Sequence, residues 1–458
     1  MKKVIILLTS LLMAFVSGCQ DHNLEPHPED VMAWRAGGPA GDSGQDIAVD
    51  QSGNVYVTGG FTGTATFGST TLISNGISDI FIVKYNNKGD VLWAKQAGGP
   101  LADQGYGITL DEQGNFYITG YISGTATFGT LSLTSTGERD IFISKYSTNG
   151  EVQWARNAGG TNFDSGYGIA LDRGGNPYVT GSFQSTATFG TTTLTSRGSN
   201  DVFIAKYNSN GDILWAQQAG GTDSDGVSDI AVDENGNAYI IGSFTGTATF
   251  GAFTLTAVAH SRATDSNLFV VKYNSAGEAL WVRQESGMGS FGSGIAVDGS
   301  GNVYVTGTIY IGAFTPDIHI AKYTTTGEIQ WSGFIGRMGG TEYGADIAVD
   351  KNGNVYVIGR THGSQIGIGK RTSSGLVSVD IDIVHYGDDD IIVVKFDNNG
   401  NLYWARSAGG PGDDVGLGIA VDEQGTAYTT GYFPGTATFG TTTLTSSGDI
   451  DVFVAKFK

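Results

Sequence analysis

An all-β, seven-bladed propeller is the fold that this sequence predicts, and three observations lead to it. Each repeat contains four short apolar or alternating segments separated by Gly-rich turns, the pattern of strands and hairpins. A tryptophan phrase recurs at Trp34, Trp93, Trp154, Trp215, Trp281, Trp331 and Trp404. A turn marker recurs at Asn54, Asn115, Asn176, Asn237, Asn302 and Asn354, with Thr426 in the seventh copy. Such a repeat hides its apolar faces only against copies of itself.

The spacing of the turn marker indicates that the strands of the repeat are retained in every copy, whereas the lengths of the loops differ in the later copies. Successive markers are 61, 61, 61, 65, 52 and 72 residues apart. The second repeat illustrates the framework, with predicted strands A to D at 107–111, 116–120, 141–146 and 152–156. Small residues dominate strand A, which suits the crowded wall of a central channel, and the bulky Trp of strand D can cover the outer rim.

The link between strands B and C predicts an accessory hairpin. In the first repeat this link contains Phe-Thr-Gly-Thr-Ala-Thr-Phe-Gly at 61–68, followed by Thr71 and Leu72. Common propeller blades have roughly 40–50 residues, so a hairpin here accounts for the longer repeat. The fifth repeat lacks the phrase, and the sixth replaces it with the segment 361–390.

The strand count predicts how the ring closes. Segments A, B and C occur seven times, and the last C segment reaches Lys458 before another D segment can follow. An unpaired D segment lies instead around Trp34. We therefore expect the N-terminal strand to complete the last blade, which would remove the open sheet edges.

Composition limits the classes of protein to consider. The chain of 458 residues has 72 Gly but only 8 Pro, which excludes collagen and fits many strands joined by turns. The formal net charge is −20 and the pI is about 4.5, without a basic arm or stripe. This charge repels phosphate backbones, so nucleic acid is excluded as a partner.

The N-terminus predicts export and lipid attachment. Residues 1–18 have the charged start and short apolar run of a signal peptide. The run ends in Val16-Ser17-Gly18-Cys19, which resembles the lipobox of bacterial lipoproteins, and this resemblance implies a lipid-modified Cys19. Residues 19–30 are polar and are interpreted as a tether before a propeller at 31–458. Gln20 after the cysteine favours the outer membrane.

Two phrases resemble a known repeat family. Asp-x-x-Gly-Asn-Val-Tyr-Val-Thr-Gly at 50–59 and Asp-Ile-Phe-Ile-x-Lys-Tyr at 79–85 are similar to the SBBP family of bacterial β-propeller repeats. The resemblance covers about residues 31–458. It implies a propeller in an exported, often envelope-associated protein, and the family has no shared catalytic residues to carry over.

Acidic residues in the links between strand D and the next strand A suggest a cation site. These links carry Asp42, Asp103, Asp164, Asp225, Glu342 and Asp414. A ring of carboxylates there would bind calcium, which prefers several oxygen ligands. The alternative is that each acid accepts backbone N–H bonds within its own turn. The segment Asp223-Ser224-Asp225-Gly226-Val227-Ser228-Asp229 partly resembles calcium loops of integrin-type propellers but has Gly221 in place of the first ligand.

Two other groups are candidate ligand-binding residues. The segment 361–390 gathers His362, Lys370, Arg371 and His385, which could form a recognition surface or a solvated insertion. The aromatic residues of the D–A links could stack on sugar rings or fill the channel mouth; they are Tyr106, Phe163, Tyr167 and Tyr343.

Seven lysines occupy one structural position. Each ends strand C and is followed by Tyr or Phe: Lys84, Lys145, Lys206, Lys272, Lys322, Lys395 and Lys456. Because long lysine side chains can lie along a sheet, we expect them to meet aspartates at the end of strand A, such as Asp50.

These features favour a lipid-anchored, monomeric, non-catalytic scaffold that binds an envelope protein or a glycan, with calcium as the one cofactor to consider. Two alternatives stay open: a polysaccharide lyase or hydrolase, since propellers host both, and a purely structural envelope component. Against an enzyme, the acids and bases repeat with the fold instead of converging once. A cleft that joins His385, Arg371 and a D–A carboxylate would favour the enzyme.

Overall fold

The computed structural model describes residues 31–258, 266–285, 289–311, 315–336, 340–372 and 375–458, and every regular element in these ranges is a strand. The signal peptide, Cys19 and the tether lie outside the described residues. Seven strands line the central channel and are the A strands of blades 1 to 7: β2 (Asp42–Val49), β8 (Gln104–Leu110), β14 (Ser165–Leu171), β20 (Gly226–Val232), β26 (Phe291–Val297), β30 (Glu342–Val349) and β36 (Val415–Val421).

Three further strands complete each blade outward. The B strands are β3 (Val55–Phe61), β9 (Phe116–Ile122), β15 (Pro177–Phe183), β21 (Ala238–Phe244), β27 (Val303–Ile311), β31 (Val355–Thr361) and β37 (Ala427–Phe439). The C strands are β6 (Asp79–Tyr85), β12 (Asp140–Tyr146), β18 (Asp201–Tyr207), β24 (Asn267–Tyr273), β28 (Thr315–Tyr323), β34 (Asp390–Phe396) and β38 (Thr442–Phe457). The D strands are β7 (Val91–Gly98), β13 (Val152–Ala158), β19 (Ile213–Gly221), β25 (Ala279–Glu285), β29 (Ile329–Gly336), β35 (Leu402–Ala408) and β1 (Val31–Ala36).

The last blade confirms the predicted closure. Strand β1 pairs antiparallel with β38 in a register that runs from Val31↔Phe457 to Ala36↔Val452. The sheet order is therefore β1-β38-β37-β36, with the N-terminal strand outermost. Arg35 adds an ion pair across this joint, with its guanidinium 2.6 Å from the Asp451 carboxylate. The chain thus forms a closed seven-bladed propeller.

The accessory hairpins are present, and they bind a neighbouring blade. Their strands are β4 (Thr64–Phe67) with β5 (Thr70–Ile73), β10 (Thr125–Phe128) with β11 (Leu131–Thr134), β16 (Thr186–Phe189) with β17 (Thr192–Thr195), β22 (Thr247–Phe250) with β23 (Phe253–Thr256), and β32 (Gln365–Thr372) with β33 (Gly375–Asp382). In blade 7 the hairpin is continuous with β37 and β38. Strand β10 pairs with β7 of the preceding blade, and β22 and β32 pair likewise with β19 and β29.

Each accessory hairpin also closes the apolar core of its own blade. Phe67 of the first hairpin packs on Phe81 of strand C, with ring centroids 4.9 Å apart. The same contact joins Phe128 to Phe142 at 5.0 Å. In blade 5, where strands β27 and β28 extend instead of forming a separate hairpin in the described residues, buried His319 occupies the position of this strand C phenylalanine. Blade 5 therefore differs from blades 1 and 2 on both sides of this contact, in the hairpin and in the strand C residue.

The recurring tryptophan joins one blade to the next. Trp154 is almost fully buried, and its indole N–H donates a 3.0 Å hydrogen bond to the carbonyl oxygen of Ser209 in the C–D turn of the following blade. The ring packs under Gly211 of that turn, where a Cβ would lie 2.9 Å from the indole. Trp215, Trp281 and Trp331 donate the equivalent bond at 3.1 Å. The residue therefore covers the outer rim, as predicted, and also fastens adjacent blades.

The repeated lysines meet the expected aspartates in the first three blades. Lys206 Nζ lies 3.1 Å from Asp172, and the matching distances are 3.6 Å for Lys145 with Asp111 and 3.8 Å for Lys84 with Asp50. In all seven blades the ammonium also lies over the tyrosine ring of strand B, at 4.6 to 5.1 Å from the centroid. The lysine therefore makes the same cation–π contact in every blade, and in the first three blades it makes an ion pair as well.

The described residues contain no helix that is long and apolar enough to span a membrane.

Candidate functional site

A cavity of about 1000 Å³ occupies the central channel and is lined by residues from all seven A strands. It opens toward the face that carries the B–C links and the D–A loops, here called the loop face, where Asn200 and Ser224 lie at its edge. Small side chains such as Ser182, Ser228 and Ser243 line the side formed by blades 3 and 4.

Tyrosines form one wall of the cavity. The rings of Tyr106 and Tyr167 are 5.3 Å apart, and Tyr121 lies 5.9 Å from Tyr106. The guanidinium of Arg139 stacks on Tyr121 at 4.2 Å from the ring centroid. Burial, together with the neighbouring tyrosines Tyr121 and Tyr167, raises the pKa of Tyr106 to about 12. Tyr106 thus keeps a neutral hydroxyl that can donate and accept hydrogen bonds at physiological pH. Of the four aromatic residues predicted at the mouth, Tyr106 and Tyr167 line this wall of the cavity, whereas Phe163 does not line it.

Blade 6 forms the opposite wall with a second aromatic and arginine pair. Arg360 lies over the ring of Tyr343 at 4.4 Å and forms an ion pair of 3.1 Å with Asp389. Tyr432 of blade 7 also lines the cavity. Tyr343 was among the predicted mouth residues, whereas Arg360 and Tyr432 were not.

Three carboxylates, from blades 1, 4 and 6, lie on the channel wall. Asp46, Asp229 and Asp346 occur at the β-bulge of strand A, and each accepts a backbone N–H from the next blade, donated by Ile108, Ile295 and Ile419 at 2.8 to 2.9 Å. The other four blades have glycine at this position: Gly107, Gly168, Gly294 and Gly418. A Cβ would lie 2.7 Å from the carboxylate of Asp346 at Gly294 and 3.3 Å from that of Asp46 at Gly418, so these two glycines make room for a neighbouring acid.

The channel carboxylates interact electrostatically. Burial raises the pKa of Asp46 to about 7 and that of Asp229 to about 6. Burial also raises the pKa of Asp346 well above its ordinary value, and the charges of Asp229 and Asp46 raise it further. Asp229 was predicted as part of a calcium loop, whereas Asp46 and Asp346 were not predicted as site residues. The available signal was that blades 1, 4 and 6 have aspartate where the other four blades have glycine, as in Gly-Gln-Asp-Ile against Gly-Tyr-Gly-Ile.

The acids of the D–A loops do not form a ring in the channel, and of these acids only Asp225 lines the cavity. Asp103, Asp164, Asp225 and Asp414 are fully buried, each in its own loop, and each accepts the backbone N–H of a glycine four residues earlier at 2.6 to 2.7 Å. Asp223 is exposed, and Asp229 lies in the channel. The structure therefore separates the carboxylates that the sequence placed in one ring or one calcium loop. Among the described residues no group of three His, Cys, Asp or Glu could hold a metal, and calcium binding stays a prediction.

The predicted recognition surface of segment 361–390 divides into two places. His362 and His385 meet on the loop face with ring centroids 5.8 Å apart, where His385 Nδ1 lies 2.8 Å from Asp390 and His362 Nδ1 lies 3.5 Å from Asp389. Lys370 and Arg371 lie at the far end of the β32–β33 hairpin. Lys370 bonds there to the C–D turn of blade 6, and Arg371 borders a groove with Trp331. Because Arg371 and His385 lie at opposite ends of the hairpin, the cleft that would favour an enzyme is not formed.

A closed ring of four-stranded antiparallel blades around a central channel defines a β-propeller repeat protein. Five stretches of the chain match the model of the SBBP β-propeller repeat family: residues 35–59, 92–125, 214–246, 281–313 and 330–367. These matches include strands of five repeats, which agrees with the resemblance seen in the sequence.

Similar proteins have varied names. The chain is 25% identical to an uncharacterized WD repeat-containing protein, L264, of Acanthamoeba polyphaga mimivirus, over 80% of this chain and 33% of that protein. It is 27% identical to the regulatory protein FlaEY of Caulobacter vibrioides, over 62% of this chain and 31% of that protein. The chain thus spans about a third of the length of these curated relatives.

Two solved structures match this chain at low sequence identity. A puromycin hydrolase is 12% identical, with a TM-score of 0.39 over 86% of this chain and 59% of the hydrolase. An ulvan lyase of polysaccharide lyase family PL25 is 11% identical, with a TM-score of 0.42 over 83% of this chain and 97% of the lyase.

Proposed function

We propose that this protein is a lipid-anchored envelope scaffold that binds a glycan, without catalysis, in the channel mouth of the loop face. The observation that carries the proposal is the cavity walled by Tyr106, Tyr167 and Tyr343. Tyrosine rings offer flat apolar surfaces with a polar tip, which suits a sugar ring that has one apolar face and several hydroxyls. A concave site with a few convergent polar groups is also the usual form of a small-ligand site.

The remaining wall supports a neutral glycan over a polyanion. Asp46, Asp229 and Asp346 place carboxyl groups on the channel wall, which disfavour an acidic sugar. Arg360 is already paired with Asp389, so it offers less attraction to an acidic sugar than a free guanidinium would. The net charge of −20 adds long-range repulsion of polyanions.

The contacts of the channel acids support a binding role over catalysis. Asp46 accepts N–H bonds on both oxygens, from Ile47 and from Ile108, and Asp229 and Asp346 do the same in their blades. A general base or nucleophile needs an oxygen aimed at the substrate within hydrogen-bond reach. Here the oxygens are committed to joining neighbouring blades.

The tyrosine wall gives the first test. In a screen of neutral and uronic-acid-containing oligosaccharides, we expect the protein to retain the neutral ones. Isothermal titration with the tightest-binding oligosaccharide should show about tenfold lower affinity for Tyr106→Ala and for Tyr167→Ala than for the parent protein, because an aromatic contact contributes roughly 1–1.5 kcal/mol. Phe163→Ala removes an exposed aromatic of the same loop face that does not line the cavity, and it should leave affinity within about twofold. Equal affinities in all variants would contradict the proposed site, and conversion of the bound oligosaccharide to shorter products would contradict a non-catalytic role.

The anchor rests on the lipobox resemblance at Cys19 and is tested separately. When the full chain is produced in a bacterium with lipoprotein processing, mass spectrometry of the mature N-terminus should find a diacylglyceryl group on Cys19. The Cys19→Ala variant should move from the membrane fraction to the soluble fraction, whereas Gln20→Ala should keep the modification. Membrane association of Cys19→Ala at the level of the parent protein would contradict lipid anchoring.

A further inference from the structure

Buried carboxyl groups meet in pairs where one blade joins the next. The first residue of strand C in one blade faces the acid of the D–A loop that follows it. Five junctions pair two aspartates: Asp79 with Asp103, Asp140 with Asp164, Asp201 with Asp225, Asp390 with Asp414, and Asp451 with Asp42. All ten side chains are almost completely buried. Sequence analysis considered only the loop member of each pair.

The two carboxyl groups of a junction converge on one glycine. Asp79 Oδ1 lies 2.7 Å, and Asp103 Oδ2 lies 3.1 Å, from the point that a Cβ of Gly98 would occupy. At Gly159 the corresponding distances are 2.6 Å to Asp140 Oδ1 and 2.9 Å to Asp164 Oδ2. A side chain at either glycine would collide with both acids. The absence of that side chain leaves room for one oxygen of each acid on the same side of the glycine.

The hydrogen bonds of a junction leave one oxygen without a partner. Asp103 accepts Gly99 N–H on Oδ2 at 2.7 Å and Ser123 N–H on Oδ1 at 2.9 Å. Asp79 Oδ2 accepts the backbone N–H of Asn75 at 3.0 Å. Asp79 Oδ1 is buried and has no hydrogen-bond partner.

The other four junctions share the unpartnered strand C oxygen, which is Oδ1 of Asp140, Asp201, Asp390 and Asp451. The loop acids Asp42 and Asp164 accept N–H bonds on both oxygens, as Asp103 does, whereas Asp225 and Asp414 also have an unpartnered Oδ1. A buried polar atom without a partner is costly, so one that recurs at five equivalent places requires an explanation.

The negative charge of the paired carboxyl groups indicates what binds the unpartnered oxygen. Two ionised carboxylates in one buried site would repel each other and lose their hydration. Protonation of one member removes the repulsion and turns the unpartnered oxygen into a donor. We propose that each of these five junctions is a proton-binding site, in which the strand C carboxyl carries the proton on Oδ1 and donates a hydrogen bond to Oδ2 of the D–A loop carboxylate.

The junction between blades 4 and 5 supplies a natural comparison. Asn267 takes the place of the strand C aspartate, and Ser290 takes the place of the loop acid. Asn267 Oδ1 accepts the N–H of Val258 at 2.7 Å and the Gln284 amide at 2.8 Å, the same roles that Asp79 Oδ2 has toward Asn75 and Gln96. The amide nitrogen of Asn267 therefore occupies the position of the unpartnered Oδ1. A hydrogen-bond donor is thus compatible with this position.

The electrostatics of the pairs agree with shared protons. Burial raises the pKa of Asp103 to about 6, against the lowering effect of its backbone hydrogen bonds, and the charge of Asp79 raises it further. Asp164 behaves in the same way, with burial and the charge of Asp140 raising its pKa to about 6. Burial likewise raises the pKa of Asp79 and of Asp140.

Neighbouring charges differ among the junctions and decide which to test. Arg35 contacts Asp451, and His385 contacts Asp390. Asp223 and Asp413 add negative charge near Asp225 and Asp414. The junction of Asp140 with Asp164 adjoins Arg139, whose guanidinium lies over Tyr121 and Phe163. At the junction of Asp79 with Asp103 the facing titratable group is the neutral hydroxyl of Tyr121. The junction of Asp79 with Asp103 is therefore the best one to test, because the titratable group that faces it is neutral.

A bound cation fits the same junctions less well. Both oxygens of Asp103 already accept N–H bonds, so Asp79 Oδ1 is the one unpartnered carboxyl oxygen of this junction. Calcium takes six to eight oxygen ligands. Calcium is therefore an outcome that the experiment has to distinguish.

The test is thermal unfolding of the propeller from pH 4 to pH 8. Because the native pairs hold protons that the unfolded chain releases above its ordinary aspartate pKa, stability should be greatest near pH 4 and should fall as the pH rises through about 6 to 7. Asp79→Asn supplies a permanent donor, so its midpoint should be about 2 °C higher than that of the parent at pH 8 and nearly equal at pH 5. Asp79→Ala should lower the midpoint at both pH values. Asp90→Asn changes an exposed aspartate and is the matched control.

A gain-of-function variant and a calcium series complete the test. The double variant Asn267→Asp with Ser290→Asp builds a sixth pair and should steepen the fall of the midpoint between pH 5 and pH 8. If Asp79→Asn loses as much stability as Asp79→Ala at every pH, the proton-sharing pair is wrong. If 1 mM calcium raises the midpoint at pH 8 and Asp79→Asn abolishes that rise, the junction is a cation site and the proton proposal is overturned.

Discussion

A chain that lacks Val31–Gly37 is expected to lose the cooperative unfolding of the propeller. The deletion removes the six residue pairs between β1 and β38, the ion pair of Arg35 with Asp451, and the bridge between Gly37 and Thr66. It also exposes the edge of β38 and leaves buried groups without partners. We expect a loss of about 5 kcal/mol or more, a large part of the stability of a typical domain, measured by urea unfolding.

Two comparisons make this result specific. Deletion of residues 20–30 removes only part of the predicted tether and should leave the unfolding midpoint unchanged. A synthetic peptide of residues 31–37, added to the truncated protein, should restore part of the lost stability by pairing with the open edge. Unchanged stability of the chain without 31–37 would contradict the role of β1 in closing the ring.

Replacing Trp154 by alanine should be among the most destabilising single substitutions. The change removes a buried indole from the core between blades 2 and 3 and leaves the carbonyl oxygen of Ser209 without its 3.0 Å donor. It also empties the space under Gly211. Substitutions of a buried aromatic residue by alanine cost about 3–5 kcal/mol, and we expect a value in that range from urea unfolding.

Matched variants separate the parts of this contact. Gln153→Ala alters the exposed neighbour on the same strand and should change stability by less than about 0.5 kcal/mol. Trp154→Phe keeps an aromatic ring but removes the N–H donor, so its loss should be intermediate. A Trp154→Ala variant that unfolds like the parent would show that the tryptophan only covers the rim and does not fasten the blades.

Most of the fold could be predicted from the sequence because the turns and strands of each repeat depend on residues within that repeat. The turn at Asp111–Asn115 is an example, since Asp111 Oδ1 accepts the N–H groups of Gln113 and Asn115, and Gly114 adopts a φ of +77°. The apolar and alternating segments predicted the four strands of each blade, and the unpaired segments at the two ends of the chain predicted how the ring closes. These features depend on residues close together in the sequence or on a count of copies.

The site was only partly predictable because its contacts cross between blades. Tyr106 and Tyr167 were expected at the mouth on the basis of their loops and do line the cavity. The convergence of Asp46, Asp229 and Asp346 depends on the closed ring, which brings strands of blades 1, 4 and 6 around one channel. A comparison of strand A across repeats would have identified this position, since three repeats have aspartate and four have glycine there, but it would not have placed the aspartates on the channel wall.

The amino-acid sequence by itself determined the repeat, the number of blades, the turns and the strand that closes the ring, because periodicity and short-range hydrogen bonding are encoded within each copy. Tertiary structure alone decided that each hairpin pairs with the preceding blade, that His362 and His385 meet while Lys370 and Arg371 lie elsewhere, and that loop acids face strand C acids in buried pairs. These contacts join residues of different repeats or opposite ends of one hairpin. Their geometry is fixed by the twist and packing of the blades, which no local pattern of residues specifies.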